Sequence, residues 1–315
     1  MKERKRTRVA LVGTGMVGSS YAYAMMQSGT ADEIVLIDVN KRKAEGEAMD
    51  LNHGMPFAAP VRIWAGTYED CRDAEVVAIT AGAAQKPGES RLALLEKNTK
   101  VFESVVQHVM HAGFNGVFVV ATNPVDVLTY ATWKFSGLPP AQVVGSGTML
   151  DTARLRYLLG DHFHVDPRNV HAYIMGEHGE TEFALWSHAD IAGRPVAEMC
   201  AEKHECSMTD LDAIFHDVRD AAAQIIERKG ATYYAVGLAL QRLTEAILRD
   251  ENAILTVSTY LNGQYGLNDI FIGVPAVVNA GGVREVIELS LSDEEQRALR
   301  ESARVLKEAA TPVLV

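Results

Sequence analysis

The stretch from Arg8 to Asp38 constrains the fold of this chain more than any other. An apolar run of strand length, Val9 to Val12, ends in Gly13-Thr14-Gly15-Met16-Val17-Gly18, a G-x-G-x-x-G turn. A helical pattern follows through Tyr21, Met25 and Gln27 to a break at Gly29. A second apolar run, Ile34 to Ile37, ends on Asp38. This reads as strand, glycine turn, helix and second parallel strand. Gly13 makes the tight turn, Gly15 leaves room for the backbone to approach a pyrophosphate, and Gly18 lets the helix pack closely on the strand. The free N–H groups at the helix start face the phosphates. Asp38 lies about 20 residues beyond the last glycine, where a carboxylate bonds ribose hydroxyls and repels a 2′-phosphate, so NAD is favoured over NADP. The plain alternative is a structural glycine turn, with Asp38 only capping the next helix.

At 315 residues the chain is long enough for two domains, each with a sizeable core. Its 48% hydrophobic and 23% charged content is that of a globular protein in water. A net charge of −11 argues against nucleic acid and anionic membrane as partners. Met1 to Arg8 is basic, but no uninterrupted apolar region follows, so no secretory signal is expected. No run approaches a membrane span. The three cysteines, Cys71, Cys200 and Cys206, are read as making no disulfide framework, and a reducing cytoplasm is the expected compartment. Cys200, His204 and Cys206 lack a fourth ligand of suitable spacing, so no metal is expected.

Taken in order, Lys41 to Met55 reads as a helix with an apolar stripe at Ala44, Ala48, Leu51 and Met55. That stripe suits either the core or part of a subunit contact. Val61 to Trp64 and Val76 to Thr80 are strands. The second runs into a loop, Ala81 to Ser90, without helical or strand period. Arg91 to His111 is a long amphipathic helix, Val117 to Ala121 a buried strand, and Val143 to Val144 a short sixth strand. Alternating β and α elements predict an α/β fold, a Rossmann-type doubly wound parallel sheet over residues 1–147. Ligands bind beyond the carboxyl ends of such strands, where Gly13 to Gly18, Ala81 to Arg91 and Thr122-Asn123 fall. Residues 148–315 read as an α+β substrate domain. It holds a helix from Thr148 to His162 and a strand from Asn169 to Met175 that stops at Gly176-Glu177-His178-Gly179. Thr209 to Arg249 is helical with a break near Gly230. Ile254 to Val286 is β-rich with turns at Asn262-Gly263 and Gly281-Gly282, and a last helix starts at the Ser292 to Glu295 capping box.

Three features of the chain look costly unless they do chemistry. His178 lies between glycines at a strand end. Asp151 and Arg154 are three apart on one helix and share a face. Arg91 follows a loop able to move. Hydride transfer to or from a hydroxy acid needs such a set. One Arg grips the substrate carboxylate as a fork. One His exchanges the hydroxyl proton. A carboxylate orients the imidazole, and a second cation polarises the carbonyl. On residues alone, Asp151 and Arg154 are equally an ordinary helix-surface pair, and His178 is one of ten histidines. His178-Gly179-Glu180 also fits the H-x-E of a zinc deaminase, but no P-C-x-x-C follows.

Six motifs carry a family resemblance over essentially the whole chain: GTGMVG at 13–18, AGAAQKPGESR at 81–91, ATNPVD at 121–126, GSGTMLDTARLR at 145–156, HAYIMGEHGE at 171–180 and KGATYY at 229–234. With them the sequence resembles the lactate/malate dehydrogenase family, in its bacterial L-lactate dehydrogenase branch. The resemblance implies His178 as acid–base residue with Asp151 as its partner, Arg154 on the substrate carboxylate and Arg91 polarising the carbonyl from a closing loop. It implies Asn123 beside substrate and nicotinamide, Thr232 lining the pocket, and Gln85 reading the substituent on the third carbon. The implied NAD contacts are Gly13, Gly15, Met16, Val17, Gly18, Asp38, Thr80, Ala81, Gly82 and Asn123. Ala84, Glu180 and Ala93 depart from the usual pattern without removing a catalytic group. Pyruvate and L-lactate are the implied substrates. Malate dehydrogenase is the nearest rival, because it shares the fold and catalytic set. A neutral Gln85 is a poor neighbour for a second carboxylate. A non-catalytic NAD-binding sensor would lack one or more of His178, Asp151, Arg154 and Arg91. The resemblance further implies a homotetramer, or a dimer that pairs into one, and activation by fructose bisphosphate through Arg156 and His171.

Overall fold

A computed structural model describes residues 6–83, 91–202 and 206–314. Its frame is one nine-stranded sheet. Six strands are parallel to one another: β1 (Arg8–Val12), β2 (Glu33–Ile37), β3 (Arg62–Ala65), β4 (Val76–Ile79), β5 (Val117–Val120) and β6 (Val143–Gly145). Their residues are short, β-branched and apolar, and β1, β4 and β5 are buried from end to end apart from Arg8. A sheet strand can lack a polar face only where both faces are covered. Four helices cover this part: α1 (Met16–Ser28), α2 (Lys41–His53), α3 (Arg91–His111) and α4 (Val125–Ser136). Ala44, Ala48 and Leu51 of α2 pack in the core with Ile34, Leu36 and Ile63. The stripe therefore serves the core rather than a contact, and Met55 lies beyond the helix end. The opposite face carries Met49, 60% exposed, and Gly46, with open space at its Cβ position.

The second part begins with α5 (Met149–Phe163) and continues through β7 (Val170–His171), β8 (Ile174–Met175), β9 (Phe183–Ala184), β10 (Asp190–Ile191) and β11 (Arg194–Pro195). Then come α6 (Val196–Glu202), α7 (Met208–Lys229), α8 (Tyr234–Leu248), β12 (Ala253–Asn262), β13 (Asn268–Asn279), β14 (Gly282–Val286) and α9 (Asp293–Leu314). The last three strands form an antiparallel meander that joins the parallel sheet, with Ser258 of β12 opposite Gly145 of β6. Sheet order is β14-β13-β12-β6-β5-β4-β1-β2-β3. Helix α8 packs on α1: Gly237 lies where a Cβ would come within 2.8 Å of the Ser20 backbone, and the buried Tyr21 hydroxyl bonds Thr244 Oγ1 at 2.7 Å. A buried phenol needs such a partner. The capping box of α9 forms as its sequence predicts, with Ser292 N donating to Glu295 and Glu295 N to Ser292 Oγ.

Two expectations are corrected. Asn169 to Met175 is not one strand: β7 pairs with β10, β8 pairs with β9, and Ala172-Tyr173 break the run. The cysteines do not all stay free either. The end of α6 and the residues before α7 bring Cys200 and Cys206 to a Cα separation of 5.0 Å, within bonding range, and they form a disulfide. Cys71 is free and buried.

Candidate active site

The two halves of the site are built by different parts of the chain. On the first, the turn after β1 takes the conformation its glycines allow. Gly13 has φ +101° and lies so close to Ala81 that a Cβ would sit 2.6 Å from its backbone nitrogen. A Cβ on Gly18 would be 2.0 Å from the Gly13 carbonyl oxygen, so α1 can lie this close only without a side chain there. Thr80 Oγ1 donates to that same carbonyl at 2.7 Å. Around Gly15, by contrast, nothing lies within 4 Å of the Cβ position. This open space lies at the N-terminus of α1, whose Met16 and Val17 begin the helix. Space of this kind at a helix N-terminus can take a phosphate group.

Asp38, at the end of β2, accepts from Thr14 N at 2.8 Å and Thr14 Oγ1 at 2.9 Å through Oδ2, and from Asn40 N at 2.9 Å through Oδ1. Burial pushes its carboxyl up, but the Thr14 and Asn40 bonds and the Lys43 charge outweigh this and hold it below the usual carboxylate value. It is thus ionised and fixed beside the glycine turn. A cleft of about 390 Å³ runs from Gly13, Gly15 and Asp38 to Thr80, Ala81 and Gly82. Residues from three strand ends meet there, as a dinucleotide requires.

On the second half, α5 supplies Asp151 and Arg154 and the loop after β8 supplies His178. Thr148 Oγ1 donates to the Ile174 carbonyl at 2.7 Å, and Ile174 N donates to Thr152 Oγ1 at 2.9 Å. These bonds tie α5 to β8 on either side of Asp151. The His178 loop is pinned from two further directions. Gly176 bridges Gly273 of β13, and Glu177 N donates to Ser302 Oγ of α9 at 2.7 Å.

The geometry that results is a chain of charge-assisted bonds. His178 Nδ1 lies 2.6 Å from Asp151 Oδ2, and Arg154 Nη1 donates to Asp151 Oδ1 at 2.8 Å. Asp151 is 2% exposed. Burial pushes its carboxyl up, but the charge and hydrogen bond of His178 and the charge of Arg154 bring it below the ordinary value. The carboxylate can then only accept, so His178 Nδ1 carries the proton and Nε2 is the nitrogen left for chemistry. For His178, burial lowers the tendency to hold a second proton. The Asp151 charge and hydrogen bond reverse that, with help from Glu182 and Asp126, and raise the imidazole to about 9.

Two residues of this site escaped the sequence reading. Asp126, in the first turn of α4, is 2% exposed and its Oδ2 accepts from His178 N at 2.9 Å. Burial pushes its carboxyl up to about 6, partly offset by the Ser258 hydroxyl and the His178 backbone N–H. It closes the ATNPVD motif, and a buried acid in an apolar helix turn was the available signal. Glu182, four residues after His178, is 6% exposed and lies within the same cluster.

The other expected residues are placed more loosely. Asn123 is exposed at the end of β5 and precedes Pro124 through a cis peptide. Thr232 is half-buried in the connection between α7 and α8. Gln85, the side chain of Arg91 and Ala84 lie outside the described residues, although Arg91 opens α3. Arg156 and the exposed His171 share a groove of about 820 Å³ between α5, α8 and β12, and Arg156 Nη2 donates to the Arg168 carbonyl at 3.3 Å. No helix among the described residues is long and apolar enough to cross a membrane.

The lactate/malate dehydrogenase NAD binding domain matches residues 7–145, and the alpha/beta C-terminal domain of that family matches residues 148–314. L-lactate dehydrogenase 2 of Bacillus cereus is 59% identical over 308 residues, 98% of each chain. L-lactate dehydrogenase 1 of Peribacillus psychrosaccharolyticus is 56% identical over 313 residues, 99% of this chain and 98% of its own. Among solved structures, the ligand-bound minor L-lactate dehydrogenase of Enterococcus mundtii superimposes with a TM-score of 0.97 at 49% identity, covering 99% of this chain and all of the other. A lactate dehydrogenase from a deep-sea metagenome library gives a TM-score of 0.96 at 50% identity over a similar span. A glycine turn with open space at Gly15, an ionised Asp38 beside it, and these matches over nearly the whole length lead to one statement: the chain belongs to the lactate/malate dehydrogenase family and is a Rossmann-fold dehydrogenase that uses NAD.

Proposed function

We propose that the chain is an L-lactate dehydrogenase that interconverts pyruvate and L-lactate, with residues 1–147 binding NAD and residues 148–315 carrying the substrate chemistry. The observation that carries this reading is the Arg154–Asp151–His178 chain at the mouth of β8. NAD, when bound, supplies the hydride donor or acceptor. Gly13, Gly15, Met16, Val17 and Gly18 would hold its pyrophosphate and Asp38 its ribose, with Thr80, Ala81, Gly82 and Asn123 lining the way to the nicotinamide.

The protein's own groups handle the carboxylate and the proton. Arg154 binds the substrate carboxylate through guanidinium N–H groups other than the one on Asp151. Pyruvate reduction requires protonated His178, whose Nε2–H donates to the substrate oxygen as it becomes a hydroxyl. Asp151 holds the ring in that orientation and stabilises the imidazolium. Arg91 polarises the carbonyl, Asn123 and Thr232 line the substrate, and Gln85 meets its third carbon. In lactate oxidation the same imidazole, now neutral, takes the hydroxyl proton.

Gln85 separates pyruvate from oxaloacetate, because a neutral amide does not compensate a second carboxylate in a closed site. Replacement by arginine supplies a paired charge. Such a pair is worth a few kcal/mol when desolvated, so Gln85→Arg is expected to shift the oxaloacetate-to-pyruvate ratio of kcat/KM by about 100-fold. Following NADH absorbance with each substrate checks both the reaction and the shift. An unchanged ratio sinks the role of Gln85, and no pyruvate turnover in the parent chain sinks the reading.

Assembly as a homotetramer and activation by fructose bisphosphate complete the reading. Arg156 and His171 share one groove, and copies related by a two-fold axis would offer two of each to one bisphosphate. The bound anion relieves their mutual repulsion and biases α5, which also bears Asp151 and Arg154. The expected result is a lower pyruvate KM with fructose bisphosphate in the parent and no response in Arg156→Ala. A flat titration of the parent at subsaturating pyruvate leaves the groove without this role.

A further inference from the structure

The acid–base unit described above uses His178, Asp151 and Arg154, and leaves one buried carboxyl in contact with it unexplained. Glu182 is 6% exposed. A carboxyl oxygen of Glu182, one of Asp151 and a ring nitrogen of His178 all lie within 4.8 Å of one another. The turn that brings it back is closed by Glu182 N donating to the Gly179 carbonyl. Both Asp151 oxygens are already engaged, Oδ1 by Arg154 and Oδ2 by His178. A metal ion at this cluster would have to displace one of them. A third hydrogen-bond donor would not, because each carboxylate oxygen accepts more than one bond.

Burial beside a second carboxylate decides the state of Glu182. The groups that act on it are Asp151 and Arg154 from α5 and His178 from its own loop, while Asp126 of α4 reaches His178 from the other side. Two buried carboxylates this close do not both ionise without large cost. Burial and the Asp151 charge act in the same direction, against the smaller pull of His178 and Arg154, and push the Glu182 carboxyl up to about 8.

We propose that Glu182 is a positioning residue of the His178–Asp151 pair, protonated in the working enzyme, donating its O–H to the Asp151 carboxylate and so fixing the imidazole. This rests on the acid–base role given to His178 above. When Glu182 does ionise, a second negative charge lies beside Asp151 and repels the substrate carboxylate at Arg154. Pyruvate reduction therefore loses rate by two proton losses on the alkaline side, one from Glu182 and one from His178.

The test compares Glu182→Gln and Glu182→Ala. Gln keeps a neutral donor of the same shape, so kcat/KM for pyruvate at neutral pH is expected within about 5-fold of the parent. Ala leaves the Asp151 oxygen without that donor and is expected to lose about 10-fold or more in kcat, as misplacement of a reacting group does. The alkaline limb of log kcat/KM should approach a slope of −2 in the parent and −1 in Glu182→Gln. Its midpoint should move to higher pH in that variant, because the proton loss from Glu182, at about 8, no longer precedes that from His178. An unaltered limb, or Gln no better than Ala, overturns the proposal. Infrared difference spectra of parent minus Glu182→Gln provide a readout without turnover. They should contain the C=O stretch of a protonated carboxylic acid at neutral pH, lost on alkaline titration. Absence of that band overturns the proposal even if His178 is the acid–base residue. Its presence in a chain inactive on pyruvate would overturn only the assigned reaction.

Discussion

Replacing His178 by alanine is expected to lower pyruvate turnover by about 100-fold or more, the usual worth of a general acid–base residue. The substitution is clean for structural reasons. Asp151 keeps its bond to Arg154, so no isolated buried charge is left behind. The His178 backbone N–H still has Asp126 as its acceptor, and Glu177 N still has Ser302. The loop therefore holds its course. NADH affinity should change little, since the glycine turn, Asp38 and Thr80 belong to other strand ends. Stopped-flow reduction of pyruvate and fluorescence titration with NADH separate the two quantities. Turnover within a few-fold of the parent removes His178 from the chemistry. A parallel loss of NADH affinity would instead mean that the variant had disturbed the cofactor half.

The legible parts of this molecule are those whose signal is local. Strands β1 to β6 are short apolar runs bounded by turns, and each lies within a residue or two of its expected ends. The glycine turn announces itself because three positions need three different things from a missing side chain. Asp151 and Arg154 share a helix face, so their meeting follows from the helical period alone. What was not legible depends on pairing between distant segments. Residues 253–286 show β character, but nothing in their period says that β12 would lie against β6 and extend the first sheet. The run from Asn169 to Met175 has the composition of one strand. Its two ends find different partners, which splits it. Asp126 and Glu182 are ordinary acids in sequence. They acquire meaning only when α4, α5 and the loop after β8 close around one imidazole. The Cys200–Cys206 bond, likewise, follows from where α6 ends rather than from any spacing rule.

Asp151→Asn tests the electrostatic core of the mechanism, because it keeps the shape and removes the charge. In the parent, burial of His178 is opposed chiefly by the Asp151 charge and hydrogen bond, and the imidazole is raised to about 9. With asparagine the opposition is mostly gone, and the imidazole falls toward or below its ordinary value of about 6.5. Pyruvate reduction needs the protonated ring, so its rate is full below the pKa and is lost as pH rises through it. At pH 8 a ring titrating near 6.5 is about 3% protonated, against about 90% for one near 9, a loss of about 30-fold from protonation alone. Poorer alignment of the ring adds to this, giving a total loss of about 100-fold or more. Lactate oxidation needs the neutral ring and is spared the first part of the loss. At alkaline pH it should suffer only the misalignment. Glu182 complicates the single variant in an informative way. Without the Asp151 charge beside it, Glu182 gives up its proton more readily and partly replaces the missing anion near His178. The double variant Asp151→Asn with Glu182→Gln removes that substitute, so its alkaline limb for pyruvate should lie at lower pH than that of Asp151→Asn alone. Full pH profiles of kcat/KM in both directions measure all of these shifts. A limb that stays where it is in Asp151→Asn would show that the buried carboxylate does not set the protonation of His178, and the acid–base assignment would need another source for its proton affinity.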